Sequence, residues 1–252
     1  MLKEIIIAIQ SYFEAHRFIV AHRLWKWILV PGILYCLLFG TGIYFFWQSS
    51  NWVIEKMLEV TGMGQWMNTL DSSWLKLLFI FGQVLLKLVI MLFYFSLFKY
   101  LFLILGSPLF AYLSEKTEAI MQGKEYPFNL TQLLKDMLRG IRLALRNTIW
   151  QSVYVISILL LSFIPLLGWF TPLIALLVEC YYLGFSMLDY TCERQKLSPT
   201  ESIAFVAKHR GLAVGNGMVF YLMHLVFLLG WILAPSYSVI AATISLHKIK
   251  KQ

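Results

Sequence analysis

The sequence carries one apolar word twice: Leu166-Leu167-Gly168-Trp169-Phe170-Thr171-Pro172 and, 62 positions later, Leu228-Leu229-Gly230-Trp231-Ile232-Leu233-Ala234-Pro235. Gly and Pro interrupt helices, so each copy reads as a turn between two antiparallel helices. The arms on either side are uncharged or nearly so, and each copy follows a basic amphipathic stretch. Soluble proteins make their turns polar, so an uncharged turn between apolar arms is unsuited to water. The chain therefore reads as an all-α integral membrane protein whose second half is a repeated unit.

Composition agrees. Hydrophobic residues make up 60% and charged residues 13%, about half the ~25% of soluble domains. The 9 Trp, 13 Tyr and 19 Phe suit a protein with much membrane–water boundary. No cleaved leader is expected, because Met1–Val20 carries Glu4, Glu14 and Arg17 and no small-residue cleavage site follows. Cys36, Cys180 and Cys192 are odd in number and lack metal-type spacing, so they read as reduced packing residues. No metal and no cofactor is expected.

Segment length sets membrane depth. Ile28–Trp47 is 20 residues without a charge, roughly 30 Å of helix, which matches a bilayer core. Leu77–Leu105 is 29 residues, roughly 43 Å, so it must tilt or project on its Ser107-Pro108 side. The arms Trp150–Phe163 and Pro235–Leu246 have 14 and 12 residues, roughly 21 and 18 Å, short of a crossing. Their partners, Pro172–Leu188 and Val214–Leu229, are nearer to full length. The expected fold is two long transmembrane helices plus two partly penetrating helical hairpins and cytoplasmic amphipathic helices. Four ordinary transmembrane helices in a thin bilayer are the alternative. The chain is expected to form one membrane domain: an interfacial helix over 1–27, long helices over 28–47 and 77–105, and repeated units over 125–190 and 198–247.

Charge orients these segments. Lys3, Arg17, Arg23 and Lys26 precede the first span, whereas Gln48–Trp74 offers only Lys56 against Glu55, Glu59 and Asp71. Lys116, Lys124, Lys135, Arg139, Arg142, Arg146, Arg194, Lys196, Lys208 and Arg210 follow the second, with Lys248, Lys250 and Lys251 at the end. The positive-inside rule puts both termini and the basic helices in the cytoplasm and Gln48–Trp74 outside. Mapped to one membrane face, the net charge of +8 points to headgroups rather than to nucleic acid.

The cytoplasmic elements have their own pattern. Lys135, Arg139, Arg142 and Arg146 form one stripe of a helix, while Leu134, Met137, Ile141 and Leu145 form another. Such a helix is suited to the interface. Ser198-Pro199-Thr200-Glu201 is a capping box with Pro at the first helical position. Ile5, Ile6, Ile9, Phe13 and Ile19 suggest another interfacial helix at the N-terminus.

Over nearly its whole length the chain resembles the CysZ-type bacterial sulfate permeases and their relatives, which include a eukaryotic etoposide-induced endoplasmic-reticulum protein. The resemblance rests on the run ending Ile28-Leu29-Val30-Pro31, on Ser107-Pro108-Leu109-Phe110-Ala111 through Glu115-Lys116-Thr117-Glu118, and on the Asp136/Arg139/Arg146/Trp150 helix. Ile164-Pro165-Leu166-Leu167-Gly168, Asp189-Tyr190 and Lys208-His209-Arg210 complete it. It implies an oligomeric assembly, a homo-oligomer in the bacterial cytoplasmic (inner) membrane, and sulfate passage toward cysteine biosynthesis. In that family the anion is placed at the turn into the first long helix, on backbone amides and two adjacent bases. This chain has Trp25-Lys26 there, so Lys26 matches directly and Arg23, three residues earlier, is the substitute. A helix N-terminus beside a cation suits an anion; the same two residues also serve as positive-inside anchors for lipid phosphate.

Other ionisable residues interrupt the apolar runs. Lys87 and Lys99 lie in the second span, Glu179 in the first hairpin and His224 in the second. Charge in lipid is costly, so Lys87 either pairs with Glu179 or snorkels toward an interface. Glu115, Glu118, Arg139, Arg142 and Arg146 read as an ion-pair network at the inner mouth of a pathway or as a solvated face. Trp169 and Trp231, at the two tips, are candidates for an apolar constriction.

Catalytic motifs are lacking: the sequence has no HExxH, no Gly-x-Ser-x-Gly and no phosphate-binding glycine loop, so no enzyme is expected. Two readings remain. One is a permease or channel for a small oxyanion, sulfate by resemblance, with membrane lipid as its other partner. The other is a non-transporting structural or regulatory membrane protein that shares the fold.

Overall fold

The computed structural model describes residues 1–62, 65, 73–123, 130–161, 170–226 and 228–250. Among these it has eight helices and no strand: α1 (Leu2–Ala21), α2 (Trp25–Thr61), α3 (Ser73–Gln122), α4 (Leu130–Leu161), α5 (Thr171–Arg194), α6 (Pro199–Lys208), α7 (Arg210–His224) and α8 (Leu229–Lys250). Among the described residues, three segments are long and apolar enough to cross a membrane by length and composition: Trp25–Trp52, Leu173–Arg194 and Leu229–Lys250. The chain divides into two compact units, one of Met1–Cys36 with Phe102–Gln252 and one of Leu37–Leu101.

The larger unit is organised around α8. Its Ala234, Ser236, Val239, Ile240, Ala241, Ala242, Thr243, Ser245 and Leu246 are all buried, and it packs on α1, α5 and α7. Small residues dominate that surface, as expected where close van der Waals approach rather than hydrophobic exclusion holds helices together. Hydroxyls join the helices inside. Thr191 and Thr243 are 2.9 Å apart, and Ser114 lies 3.4 and 3.3 Å from them. The N-terminal stretch forms the expected helix, α1, with Ile7, Ala8, Ser11, Tyr12, Ala15 and Ile19 turned inward. Ile6, Phe13 and Val20 remain exposed on its other side.

The smaller unit pairs the outer parts of α2 and α3. Phe39 and Phe98 meet edge to face at 5.4 Å, and Lys56 bridges Glu59 at 2.7 Å.

Several boundaries differ from the sequence reading. Both long helices overrun their apolar segments. α2 continues to Thr61, so much of Gln48–Trp74 is helix, and α3 runs through Pro108 to Gln122. At 37 and 50 residues they measure about 55 and 75 Å. The basic stretch and the arm Trp150–Phe163 are not separate elements, because α4 is continuous from Leu130 to Leu161. No proline interrupts it, and its one glycine, Gly140, is tolerated inside a helix. In the second repeat the basic helix and the apolar arm are separate: α6 ends at Lys208 and α7 begins at Arg210, with His209 between them.

The second tip is displaced. Leu225, Val226 and Leu228, the last at φ +59°, lie between α7 and α8, and Gly230, Trp231 and Pro235 lie inside α8. Gly230 serves close approach rather than breakage: a Cβ there would come within 1.7 Å of the Met223 carbonyl oxygen. The second arm therefore has 22 residues, Leu229–Lys250, and it is long enough to cross. It looked short only because Pro235 was taken as its boundary. The first tip lies within residues 162–169, outside the described residues, and α5 begins just after it with Pro172 in its first turn.

Candidate functional site

The turn from α1 to α2 is built in three residues. His22 caps α1, the Arg23 amide bonds to Val20 O at 3.4 Å, and the Leu24 amide reaches back to Ile19 O at 3.1 Å. This is a Schellman closure, with Ile19 and Leu24 both buried beneath it. Its left-handed position, usually glycine, is occupied by Arg23 at φ +51°. That backbone costs an L-residue about 1–2 kcal/mol, so a glycine here would relieve strain and lose the guanidinium. Leu24 O then receives the amides of Trp27 and Ile28 at 3.0 and 3.3 Å. The amides of Trp25 and Lys26 are left at the mouth of a 37-residue helix with no intrahelical acceptor. Arg23 and Lys26 are both exposed. Beside the first turn of α2, Lys116 Nζ of α3 sits 5.0 Å from the Trp27 ring centroid and 5.8 Å from that of Tyr112. On the α1 side, His16 Nδ1 is 2.8 Å from the Tyr237 hydroxyl.

A second charged group is buried between α3, α4, α5 and α6. Arg139 donates to Asp189 Oδ1 at 2.9 Å, to Ser202 Oγ at 2.6 Å and to the carbonyl of Leu197, and its Nε lies 3.7 Å from Glu193. Leu197 is presented by another tight closure, with Lys196 at φ +60° and the Leu197 amide bonded to Cys192 O at 3.1 Å. Arg194 donates to Glu115 at 3.0 Å and approaches Glu193 at 4.0 Å. Glu118 accepts from Gln122 at 2.8 Å and lies 3.5 Å from His247. Nearby, the Ser198–Glu201 capping box is formed. The Ser198 amide and hydroxyl hold the Glu201 carboxyl below its usual range.

The five residues read as one network are thus divided. Glu115 and Arg139 share a chain of contacts, but only through Glu193 and Arg194; Glu118 belongs with His247. Arg142 is exposed, and Arg146 donates to Asn147 Oδ1 at 3.1 Å. Arg139 lies on the stripe of α4 but is turned inward, since its acids come from α5. Two guanidiniums face three carboxylates here, so the cluster offers little attraction to an anion. The α2 mouth carries Arg23 and Lys26, both exposed, and Lys116 lies over the ring of the next residue, Trp27.

Glu179 is held by Gln151 of α4 and by the Tyr221 hydroxyl of α7, the latter at 2.9 Å. The side chain of Lys87, its suggested partner, lies outside the described residues, as does Trp169. His224 is satisfied within the fold: Nδ1 donates to Phe220 O at 3.0 Å and Nε2 accepts from Tyr35 at 2.9 Å. Trp231 donates its indole N–H to His224 O at 3.1 Å. Sequence reasoning did not single out Asp189, Glu193, Arg194 or Lys116 as site partners. Glu193-Arg194 lies four residues past Asp189-Tyr190, and that i, i+4 carboxylate pair facing Arg139 was the available signal.

Residues 11–235 match the family described as Sulfate transporter CysZ/Etoposide-induced protein 2.4. The chain belongs to that family. A relative from Pseudomonas aeruginosa PAO1 named Sulfate transporter CysZ is 27% identical over 226 residues, 88% of this chain and 87% of its own length. A protein of the same name from Pseudomonas syringae pv. tomato DC3000 is 25% identical over 237 residues, 92% of this chain and 88% of its own. Together with the apolar helices, the family defines a membrane protein of the transport class.

Proposed function

We propose that this protein is a membrane permease for a small oxyanion, sulfate foremost, and that Arg23 and Lys26 hold the anion at the mouth of α2. The α1–α2 turn carries this reading: a strained arginine and two amides without intrahelical acceptors stand at one helix N-terminus, and Lys116 lies over the Trp27 ring of its first turn. Anions are stabilised there by the free N–H groups and by the helix dipole. The names of the Pseudomonas relatives support sulfate as the substrate. The distribution of Lys and Arg supports cytoplasmic termini in a bacterial inner membrane. The 15 residues of α7, about 22 Å, support a second hairpin with one partly penetrating arm. The imported sulfate would feed cysteine biosynthesis, and the assembly would be a homo-oligomer.

The test is radiolabelled sulfate binding and uptake in proteoliposomes with Arg23→Gln/Lys26→Gln and, separately, Lys116→Gln. The double variant should lose binding while inserting and assembling normally, and Lys116→Gln should weaken binding by a smaller factor. Unaltered binding and uptake in the double variant would remove the α2 mouth from the pathway. Trp25, standing where the family pattern has a base, favours the competing non-transporting reading. Wild-type vesicles that take up no sulfate would establish it.

A further inference from the structure

We propose that the α4–α5 hairpin, closed by α6 and α7, carries a site for one anionic phospholipid, with Arg146 and Arg210 on its phosphate. A cavity of about 540 Å³ opens between these helices. Arg146 and Arg210 line it together with Trp150, Tyr154, Leu177 and Val214, and no carboxylate lines it. A second cavity of about 430 Å³ shares Arg146 and Ile203 with the first and adds Arg142, again without an acid. The acid next to Arg210, Glu4, is engaged by His209 Nδ1 at 2.8 Å and by the Gly211 amide at 3.0 Å, while Arg210 Nε donates to the Ala207 carbonyl at 3.0 Å. Among the described residues neither Arg146 nor Arg210 forms an ion pair of the kind seen at Arg139.

The position of the two arginines selects a lipid rather than a free ion. On α4, Arg146 is the last charged residue before an apolar run that reaches the end of the helix at Leu161. On α7, Arg210 is the first residue, and no charged residue follows before His224. Both guanidiniums thus stand where the charged half of a helix gives way to the apolar half, the level of a headgroup. From there the cavity runs beside Trp150 and Tyr154 of α4 and Ile174 and Leu177 of α5. These four residues are 41–49% exposed, so the apolar length is open to the surroundings. A soluble anion has no use for that wall; an acyl chain does. Arginine suits the phosphate end because its planar fork binds phosphate oxygens in pairs.

This site is separate from the α2 mouth and does not depend on sulfate transport. Trp150 reports on it. The full chain is reconstituted in phosphatidylcholine bilayers, and brominated-acyl phosphatidylglycerol or brominated-acyl phosphatidylcholine is added at matched mole fractions. The signal is the emission that disappears in Trp150→Phe. Phosphatidylglycerol should quench it at a roughly tenfold lower mole fraction, the scale on which two surface cations attract anionic headgroups. Arg146→Gln/Arg210→Gln should abolish the preference, and Arg146→Lys/Arg210→Lys should keep most of it, which separates charge from folding. Millimolar inorganic phosphate should leave the quenching unchanged. Equal quenching by the two lipids, or an undiminished preference in the correctly assembled glutamine variant, would overturn the proposal. Relief by inorganic phosphate would also overturn it, assigning the arginines to a free anion.

Discussion

Gly217 of α7 lies against Cys180 of α5 so closely that a Cβ on it would come within 2.0 Å of the Cys180 carbonyl oxygen. The seam repeats at Gly184, where a Cβ would meet Ala213 O at 1.9 Å. The two helices are antiparallel, and each contributes the glycine that admits the other's backbone. The first hairpin is joined to the second along this line, and a backbone carbonyl cannot rotate away as a side chain can.

Gly217→Ala should therefore destabilise the protein by about 1–3 kcal/mol, the usual cost of overpacking, seen as a lower thermal midpoint in detergent. Gly40 supplies the control. Nothing lies within 4 Å of its ideal Cβ, and alanine in a helix is favoured over glycine by about 0.8–1 kcal/mol. Gly40→Ala should leave the midpoint unchanged or raise it.

Arg139 donates to Asp189, Ser202 and the Leu197 carbonyl at once and pairs electrostatically with Glu193 at 3.7 Å, with its side chain 14% exposed and those of the two acids at 6% and 8%. Removing one member of a buried ion pair costs about 3–5 kcal/mol, because the other is left uncompensated. Arg139→Gln should lower stability on that scale, and adding Asp189→Asn should recover part of the loss. Arg139→Lys should not substitute, since an ammonium cannot reproduce the fixed fork of donors that a guanidinium presents to its three acceptors. Additive losses in the double-mutant cycle would show that Arg139 and Asp189 are not coupled.

Much of this architecture is written in short-range patterns. Apolar length marked α2 and α5, and Ser198 to Glu201 marked the start of α6 because a capping box is local chemistry. What escaped is long-range or depends on neighbours. Whether Gly230 and Pro235 end a helix or sit inside one is decided by Met223 approaching from the opposite arm. Whether Arg139 faces water or acid is decided by Asp189 and Glu193, about 50 residues away. Lys116 was visible as a cytoplasmic base, but its place above Trp27 depends on how α3 continues beyond Pro108. Of the candidate site, Arg23 and Lys26 were legible, and the strain at Arg23 was not, since φ is set by the closure over Ile19 and Leu24.

The capping box makes a pH prediction. Hydrogen bonds from the Ser198 amide and hydroxyl favour the Glu201 carboxylate, so its pKa in the folded state lies below the ordinary 4.5. A depressed pKa contributes stability that is present above the unfolded value and is lost as pH falls through the folded value. The difference in midpoint between wild type and Glu201→Ala should therefore be full at about pH 6 and shrink steadily below about pH 4.5. A difference that stayed constant down to about pH 3 would mean that the carboxylate charge contributes nothing to the cap.

Trp231 fastens the second turn. Its indole donates to the carbonyl of His224, the last residue of α7, and His224 in turn accepts from Tyr35 of α2. A carbonyl at a helix end lacks an intrahelical donor, so the indole supplies a bond that no backbone amide of the described residues makes. Trp231→Phe keeps an aromatic ring and deletes the donor; it should cost about 1 kcal/mol and lower the midpoint by a few degrees. Trp231→Ala should cost several kcal/mol more, because the ring's packing is lost as well. With the indole tied back to its own hairpin, neither variant should raise chloride or sulfate leak in proteoliposomes that contain intact assemblies. If Trp231 instead formed an apolar constriction, the two variants would separate by function: alanine would leak, phenylalanine would not, and both would keep the wild-type midpoint.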